Sequence, residues 1–174
     1  MSTRPYNAIP SVQALEDFDQ AFDRSFSLVA YVLNRHLIDH MLRAARLLTE
    51  GDTETLIVWG VLAHQNVAHL MPPGSVASAV LDDRGMPRDG ELHLAPLRLR
   101  TLAEITRIPR ETVRRKLHAL EAQGYVTRNS RGWLLSTERS DPELREFTRE
   151  SVWRLLAAAD EIRALLGAAD RGQS

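Results

Sequence analysis

Between Ser11 and Glu50 the chain contains neither glycine nor proline, so no residue in this segment favours a break in a helix. The apolar residues recur every three or four positions, which places them on one helical face. They are Val12, Leu15, Phe18, Phe22, Phe26, Val29, Leu33, Leu37, Met41, Ala45 and Leu48. Acidic residues gather near the start and arginines near the end, as the helix dipole favours. We therefore expect one long helix, or two abutting helices, ending at Gly51.

A helix of this length would measure about 60 Å, at about 1.5 Å per residue, which is longer than one small core requires. Residues 25–38 are also apolar on more than one side. We therefore expect part of this segment to pack against a second subunit, so that the protein is a homodimer.

The composition excludes several classes of protein and site. The 174 residues include no cysteine, which excludes a disulfide scaffold, a thiolate zinc site, an iron–sulfur cluster and a thiol nucleophile. No apolar run approaches the ~18 residues that span a bilayer, and the N-terminus has no apolar signal core, so we expect a cytoplasmic protein with no membrane partner. The chain has no nucleophile elbow, P-loop or dinucleotide-binding glycine motif. We expect neither an enzyme nor a cofactor.

A second helix is predicted after Gly51. Asp52 is a favourable N-cap, and the residues from Thr53 to Leu70 have helical periodicity. Its expected buried residues are Leu56, Trp59, Val61, Leu62, Val67 and Leu70. The density of proline, glycine, aspartate and serine in residues 72–89 predicts a loop, with a short helical turn in residues 75–81.

Two short helices are predicted next. Thr101 and Glu104 match the capping-box spacing and predict a helix that continues to about Thr106. Residues 107–108 form a tight turn. Pro109 suits the first position of the following helix, where its missing N–H costs nothing.

This second short helix is expected to run to Gln123, with Gly124 just beyond its end. Alternating residues predict two strands, 125–128 and 133–137, joined by a hairpin turn at 129–132. The result is two helices joined by a tight turn and followed by a two-stranded hairpin, the arrangement of a winged helix-turn-helix.

The C-terminal part, from Arg139 to Gly167, returns to helical periodicity. Its apolar residues are Leu144, Phe147, Val152, Leu155, Leu156, Ile162, Leu165 and Leu166. We expect residues 168–174 to be frayed.

The helix that begins near Pro109 has two different faces. Val113, Leu117 and Leu120 recur at helical spacing and are expected to pack on Leu102 and Ile105 of the preceding helix. The residues expected to point outward are Arg110, Glu111, Arg114, Arg115 and His118. Basic groups are therefore concentrated at the N-terminal end of the exposed face.

A helix presented in this way can enter the major groove of DNA with its first turns against the base edges. Arginine can bind guanine in a bidentate fork, and glutamate can accept a hydrogen bond from cytosine. The first backbone amides and Thr112 can hold a phosphate, and His118 can contact DNA or titrate against a phosphate. On the hairpin, Arg128 and Arg131 can reach the neighbouring backbone or the minor groove. The candidate DNA-binding residues are Arg110, Glu111, Thr112, Arg114, Arg115, His118, Arg128 and Arg131.

The distribution of charge agrees with this hypothesis. The net charge of the whole chain is −1. From Leu97 to Arg131, nine basic residues are opposed by three glutamates, which gives +6 in this segment and −7 in the remainder. A near-neutral protein thus contains a strongly basic segment, and DNA affinity comes largely from neutralised phosphates.

The segment TLAEITRIPRETVRRKLHALEAQGYVTRNSRGWLLST, residues 101–137, resembles the winged helix-turn-helix of bacterial transcription regulators, especially the catabolite-activator-like and MarR- or GntR-like groups. The resemblance covers roughly residues 52–137, and its specific part is 101–125. In the catabolite-activator family the matching residues contact bases, which implies that role for Arg110, Glu111 and Arg115. Pro109 stands where that family has a serine cap. Only helices precede the domain, so a cyclic-nucleotide effector is not implied.

Two alternative functions remain open. A winged helix can be a protein-interaction module without DNA binding. Alternatively, the protein is a ligand-responsive regulator whose helical dimer holds an apolar small-molecule effector. Candidate lining residues for that pocket are Phe18, Phe22, Phe26, Tyr31 and Trp59, which can equally belong to the core.

Histidines at helical spacing are a further candidate site. His36 and His40 are separated by one helical turn with Asp39 beside them, and His64 and His69 lie on the next helix. Such pairs can share a metal ion, but the spacing is also common on helix surfaces, and we assign no metal site.

We therefore predict a mainly α fold with a small β-hairpin wing: a winged helix-turn-helix plus long N-terminal and C-terminal dimerisation helices. The expected domains are an N-terminal helical region (1–51), a DNA-binding domain (52–138) and a C-terminal helix (139–174). The expected function is sequence-specific regulation of transcription as a homodimer on double-stranded DNA.

Overall fold

A computed structural model describes residues 12–70, 94–136 and 142–171. The fold is mainly helical, with one two-stranded antiparallel hairpin, as predicted. The elements are α1 (Val12–Thr49), α2 (Thr53–Val67) with a 3-10 turn (Ala68–Leu70), α3 (Leu99–Thr106), α4 (Arg110–Ala122), β1 (Val126–Arg128), β2 (Trp133–Leu135) and α5 (Pro142–Arg171). The predicted loop at 72–89, its helical turn, and residues 137–138 lie outside the described residues. None of the described helices is both long enough and apolar enough to cross a bilayer.

The chain divides into two compact units. The first unit consists of α1 up to Met41 together with α5 from Glu143. The second unit extends from Leu42 to Pro142 and contains the end of α1, the helices α2 to α4 and the hairpin.

The long N-terminal helix is one continuous element that ends where the sequence predicts. Its last residue is Thr49, and Glu50 and Gly51 follow with positive φ angles of 51° and 91°. The Gly51 N–H donates to the Ala45 carbonyl at 2.9 Å, which satisfies an orphan carbonyl of the last turn. Asp52 then caps α2 through its carboxylate, which accepts from the Thr55 N–H at 3.0 Å, as predicted.

In the first unit, the contacts between α1 and α5 include three side-chain pairs. The His40 and Phe147 rings lie 5.5 Å apart. A guanidinium nitrogen of Arg154 lies 3.6 Å from a carboxylate oxygen of Asp39. The third pair is the ion pair between Arg35 and Glu161. Since residues later in α1 meet residues earlier in α5, the two helices run antiparallel.

The buried face of α1 differs from the predicted one. In this unit the buried residues are Ala21, Ser25, Val29 and Val32, which are small and recur at helical spacing. Several larger residues of the predicted face are instead about half exposed: Leu15, Phe18, Phe26, Leu33 and Leu37. On α5 the buried positions are Ser151 and Ala158, whereas Val152, Leu155 and Leu156 are exposed. The helix continues to Arg171, so the expected fraying is wrong for residues 168–171, and residues 172–174 lie outside the described residues.

The core of the second unit lies between α2, α3, α4 and the hairpin. Its buried residues are Val58, Leu62, Leu102, Val113, Leu117, Leu120, Val126 and Trp133. The prediction that Ile105 packs on α4 is wrong, because this side chain is 45% exposed. Leu99 and Ala103 pack against the core instead, on either side of Leu102 along α3. On α2, Leu56 and Leu62 are buried as expected, while Trp59, Val61 and Val67 are half-buried.

The starts of α3 and α4 correct two predictions. The helix α3 begins at Leu99, Arg98 is its N-cap without a side-chain cap bond, and no capping box forms. Glu104 instead accepts from Arg100 Nε at 2.8 Å, one turn earlier on the same helix. Pro109 is the N-cap of α4 rather than its first helical residue.

The end of α4 matches the prediction for Gly124 closely. Ala122 is the last helical residue, and Gly124 has a φ angle of 77°. The N–H groups of Gly124 and Tyr125 donate to the carbonyls of Glu121 and Leu120, which is a Schellman motif. The chain therefore turns sharply from α4 into β1.

The hairpin pairs Val126 with Leu135 and Arg128 with Trp133. A third extended segment joins it, because Leu97 forms an antiparallel bridge with Trp133 through two hydrogen bonds of 2.9 and 3.0 Å. No pattern in the sequence predicts this bridge. It brings the residues before α3 to the edge of the hairpin.

The buried side chain of Asn66 joins α2 to these extended segments. Its amide nitrogen donates to the carbonyls of Ala95 and Trp133 at 2.8 and 3.3 Å. Its carbonyl oxygen accepts from the Leu135 N–H at 2.7 Å. One fully buried amide thereby satisfies three backbone groups in a region without regular helix.

Candidate nucleic-acid interface

The helix α4 has one face in the core and one in solvent. Val113, Leu117 and Leu120 are buried against α2, α3 and the hairpin, as the spacing predicts. The opposite face exposes Arg110, Glu111, Arg114, Arg115 and His118. The structure therefore brings five of the eight predicted site residues onto one exposed helical face.

Arg110 and Arg115 are exposed, and neither side chain makes a hydrogen bond or ion pair with another residue of the described chain. The two residues lie five positions apart, about 140° around α4, so their side chains lie at the two edges of its exposed face. Their guanidinium groups keep all of their donors available for an external acceptor.

Glu111 and Arg114 are already paired. Arg114 Nε donates to Glu111 Oε2 at 2.9 Å, and a second hydrogen bond joins Arg114 to the other carboxylate oxygen. This fork lowers the pKa of Glu111 and raises the pKa of Arg114, mainly through the side-chain hydrogen bonds. A base contact by either residue must therefore break or share this pair.

His118 is also held by neighbours. Its Nδ1 lies 3.1 Å from a carboxylate oxygen of Glu121, one turn later on α4. The imidazole ring meets the Trp133 ring edge-on, with centroids 5.4 Å apart. The side chain of His118 thus links α4 to the second strand of the hairpin.

Lys116 belongs to the basic segment but not to the basic surface. Its side chain is only 8% exposed and its ammonium group lies within 3.3 Å of three partners on the first turn of α2: Asp52, Thr55 and Glu54. The exposed charges of the segment from Leu97 to Arg131 are therefore eight arginines and three glutamates, which leaves +5 on the surface. The hairpin and both ends of α3 contribute to this surface as well as α4.

The start of α4 retains free backbone donors. Pro109 supplies no side-chain cap, and the first backbone bond of the helix is from the Val113 N–H to the Pro109 carbonyl. In the described chain, no backbone acceptor pairs with the three amides before Val113. Thr112, a predicted site residue, lies in this first turn and is half-buried.

The turn between β1 and β2 is organised by Asn129, whose side-chain oxygen accepts from the N–H groups of Arg131 and Gly132 at 2.8 and 3.0 Å. Gly132 passes so close to Leu97 that an added Cβ would lie 2.6 Å from its carbonyl oxygen. The tip of the hairpin is thus fixed by one side chain and by one close backbone approach.

The two hairpin arginines have different environments. The Arg128 guanidinium lies over the Trp133 ring, 5.5 Å from its centroid, which is a cation–π contact. Arg131 is exposed at the tip, with no side-chain bond among the residues described. Of the two, Arg131 is the residue whose guanidinium is free to reach outward.

Comparisons with models of known protein families, with curated proteins and with solved structures find no match to this chain.

The histidines of the predicted pair lie one turn apart on α1. The His36 and His40 rings stack with centroids 6.3 Å apart, and His40 also contacts Phe147. Across residues 12–70, 94–136 and 142–171, no group of three or more histidine, aspartate or glutamate side chains is placed to hold a metal ion.

The aromatic residues of the effector hypothesis are divided between the two units. Phe22 contacts Phe18 and Phe26 along α1, and Tyr31 carries the Arg35 guanidinium over its ring. Trp59 belongs to the other unit, where it meets the Tyr125 ring edge-on. A groove of about 380 Å³ in the first unit is lined mostly by the charged residues Arg35, Asp39, Arg154 and Glu161, with His36, Ala157 and Ala158.

Proposed function

We propose that the unit from Leu42 to Pro142 is a winged helix-turn-helix domain that binds duplex DNA sequence-specifically, and that the protein regulates transcription. In this proposal α4 enters the major groove. The observation that carries the proposal is the exposed face of α4, where Arg110 and Arg115 make no side-chain hydrogen bond or ion pair in the described chain while the opposite face is anchored in the core.

The order of the elements supports the proposal. The helix α2 is followed by the extended residue Leu97, then by α3, α4 and the two hairpin strands. This sequence of helix, short strand, two helices and two strands is what a winged helix-turn-helix requires. The bridge between Leu97 and Trp133 attaches the short strand to the hairpin.

The dimensions and charge of α4 suit the major groove. An α-helix with its side chains is about 10–12 Å wide, and the groove of B-DNA is about 12 Å wide. The exposed residues from Leu97 to Arg131 carry a charge of +5, which attracts DNA phosphates. The net charge of −1 for the whole chain does not reveal this local positive charge.

The exposed residues divide into different roles under this proposal. Arg110 and Arg115 read base edges, since both have unshared guanidinium donors. Arg114 and Glu111 act as a pair, in which each orients the other. Arg131 contacts the DNA backbone from the hairpin tip, whereas Arg128 chiefly holds Trp133.

In vitro selection of bound duplexes from a random pool, followed by fluorescence anisotropy, tests the proposal. If Arg115 reads a guanine, the variant Arg115→Ala should weaken the selected site by about 5- to 150-fold and relax the preference at one position. Arg145→Ala is the matched control, because Arg145 is an exposed arginine of the other unit. An equal loss on all sequences would reassign Arg115 to a phosphate contact.

The dependence on salt gives a second measurement. Each neutralised phosphate should contribute about −0.9 to the slope of log affinity against log salt, and Arg131→Ala should reduce the slope by about one. Absence of duplex affinity at low salt contradicts the proposal and favours a protein-interaction module.

A further inference from the structure

The unit formed by α1 and α5 leaves an unusual amount of apolar surface in solvent. Of the seventeen large apolar side chains that are exposed in the described residues, thirteen belong to this unit. Their exposed fractions range from 38% for Met41 to 76% for Trp153. They are Leu15, Phe18, Phe26, Leu28, Tyr31, Leu33, Leu37, Ile38 and Met41 on α1, and Val152, Trp153, Leu155 and Leu156 on α5.

These residues make α1 apolar on three sides. One side is the buried face that contains Ala21 and Val29. A second side carries Phe26, Leu33, Leu37 and Met41, which follow one another at intervals of seven, four and four. A third side carries Leu28, Tyr31 and Ile38, at intervals of three and seven. An apolar side of a helix is normally buried against a partner, and the second and third sides remain exposed in the single chain.

The exposed area is large enough for a stable interface. A large apolar side chain contributes roughly 150 Å² when fully exposed, so the thirteen together, over all sides of both helices, amount to about 1,000 Å². A standard interface buries about 800 Å² on each partner.

The charges along α1 indicate which partner fits. Residues 16–23 include four acidic and no basic residues, whereas residues 35–46 include three arginines and one aspartate. A second α1 that runs antiparallel places the acidic segment of each copy beside the basic segment of the other. A parallel arrangement would instead place like charges together, which is unfavourable.

We propose that α1 pairs antiparallel with α1 of a second copy of this chain, about a two-fold axis near Ala30. Ala30 lies close to the middle of α1 and on the side that carries Phe26 and Leu33. Two copies of α1 and α5 then form a four-helix assembly in which the side of α1 that carries Phe26, Leu33, Leu37 and Met41 becomes core. The inference depends only on the α1–α5 unit and is independent of DNA binding.

Sedimentation equilibrium of the full chain tests the association. The expected mass at micromolar concentration is twice the 19.6 kDa of the chain. Leu33→Glu and Leu37→Glu should each raise the dissociation constant about 30-fold or more, because they bury a charge in the interface. Ile57→Glu is the matched control, since Ile57 is an exposed apolar residue of the other unit and its replacement should leave the mass unchanged.

A monomeric mass for the unaltered chain overturns the inference. The inference is also overturned if Ile57→Glu raises the dissociation constant as much as Leu33→Glu and Leu37→Glu do. If a glutamate variant loses its helical circular dichroism and therefore does not fold, the melting temperature of the unaltered chain is measured at several protein concentrations instead. That temperature should rise with protein concentration for an associating chain and stay constant for a monomer.

Cross-linking tests the orientation, because the chain has no cysteine and a single introduced thiol is specific. With a short thiol-reactive cross-linker, Ala30→Cys should give a covalent dimer. Leu15→Cys should not, since the two copies of residue 15 in an antiparallel pair lie about 45 Å apart along the axis. Cross-linking at both positions, or at Leu15 alone, overturns the antiparallel arrangement.

Discussion

Lys116 on α4 and Asp52 at the start of α2 form an ion pair, with the ammonium nitrogen 2.7 Å from one carboxylate oxygen and 3.0 Å from the other. Asp52 also caps α2 through the Thr55 N–H. One carboxylate therefore both completes the first turn of α2 and neutralises a lysine that is almost fully buried. This contact fixes α4 on α2 and so helps to position the face that carries Arg110 and Arg115.

Two substitutions of Asp52 separate its roles. Asp52→Asn keeps a good N-cap but removes the charge that faces Lys116, and should lower the free energy of unfolding by about 1–2 kcal/mol. Asp52→Ala removes both functions and should lower it by about 2–3 kcal/mol. Urea unfolding measures both values. Equal stability of Asp52→Asn and the unaltered chain would show that the ion pair contributes nothing.

Stability should fall in acid because of the same residue. The hydrogen bond from Lys116, with that from the Thr55 amide, lowers the pKa of Asp52 from 3.8 to about 2. The folded state therefore binds a proton at the Asp52 carboxylate less tightly than the unfolded chain does. The contribution of this carboxylate to folding stability is complete above about pH 4 and is lost as pH falls toward about 2. The side chain is 48% exposed, so solvent screening reduces the effect to about 1 kcal/mol.

Urea midpoints of the unaltered chain and of the Asp52→Asn variant, measured between about pH 5 and pH 2, check this expectation. The advantage of the unaltered chain should shrink through this range, because the amide introduced by the substitution does not titrate. An advantage that stays constant over the whole range would assign the stabilisation to a group other than the Asp52 carboxylate.

The features that sequence predicts well are local. The run without glycine or proline determines α1, and Gly124 with its positive φ determines the end of α4. Val113, Leu117 and Leu120 are buried as their spacing indicates. Each of these depends on residues within a few positions of one another, which is the range over which helical periodicity and turn chemistry act.

The features that sequence does not predict depend on distant partners. Leu97 forms a strand of one residue, which has no periodicity to detect. The spacing of Lys116 from Val113 and Leu120 places it on the inward side of α4, but its partner Asp52 is 64 residues away. On α1 the small buried face and the larger exposed stripes are all apolar, so periodicity alone does not select the face that meets α5.

Asn66 should be among the residues least tolerant of substitution in the second unit. Asn66→Ala leaves the Leu135 N–H and the Ala95 carbonyl without their partner in a buried region, and should lower the free energy of unfolding by about 2–4 kcal/mol. Asn34→Ala is the control, because Asn34 is exposed on α1 and its loss should be close to neutral. Chemical denaturation of both variants makes the comparison, and similar midpoints would contradict the role assigned to Asn66.

Replacement of glycine by alanine should have opposite effects at two positions. At Gly132 the new Cβ would lie 2.6 Å from the Leu97 carbonyl oxygen, a backbone atom that cannot move without breaking the bridge to Trp133. Gly132→Ala should therefore lower the free energy of unfolding by about 2 kcal/mol or more. At Gly60, within α2, nothing lies within 4 Å of an added Cβ, and Gly60→Ala should raise it by about 0.5–1 kcal/mol through helix propensity.

Thermal and urea unfolding of the two glycine variants give these values, and amide hydrogen exchange locates the effect of Gly132→Ala. Faster exchange should be confined first to the Leu97 and Trp133 amides, which donate across the bridge. If Gly132→Ala binds the selected duplex with a reduced salt slope as well, displacement of Arg131 at the hairpin tip explains the loss of a phosphate contact. Unchanged exchange at both amides would show that the backbone accommodates the methyl group without opening the bridge.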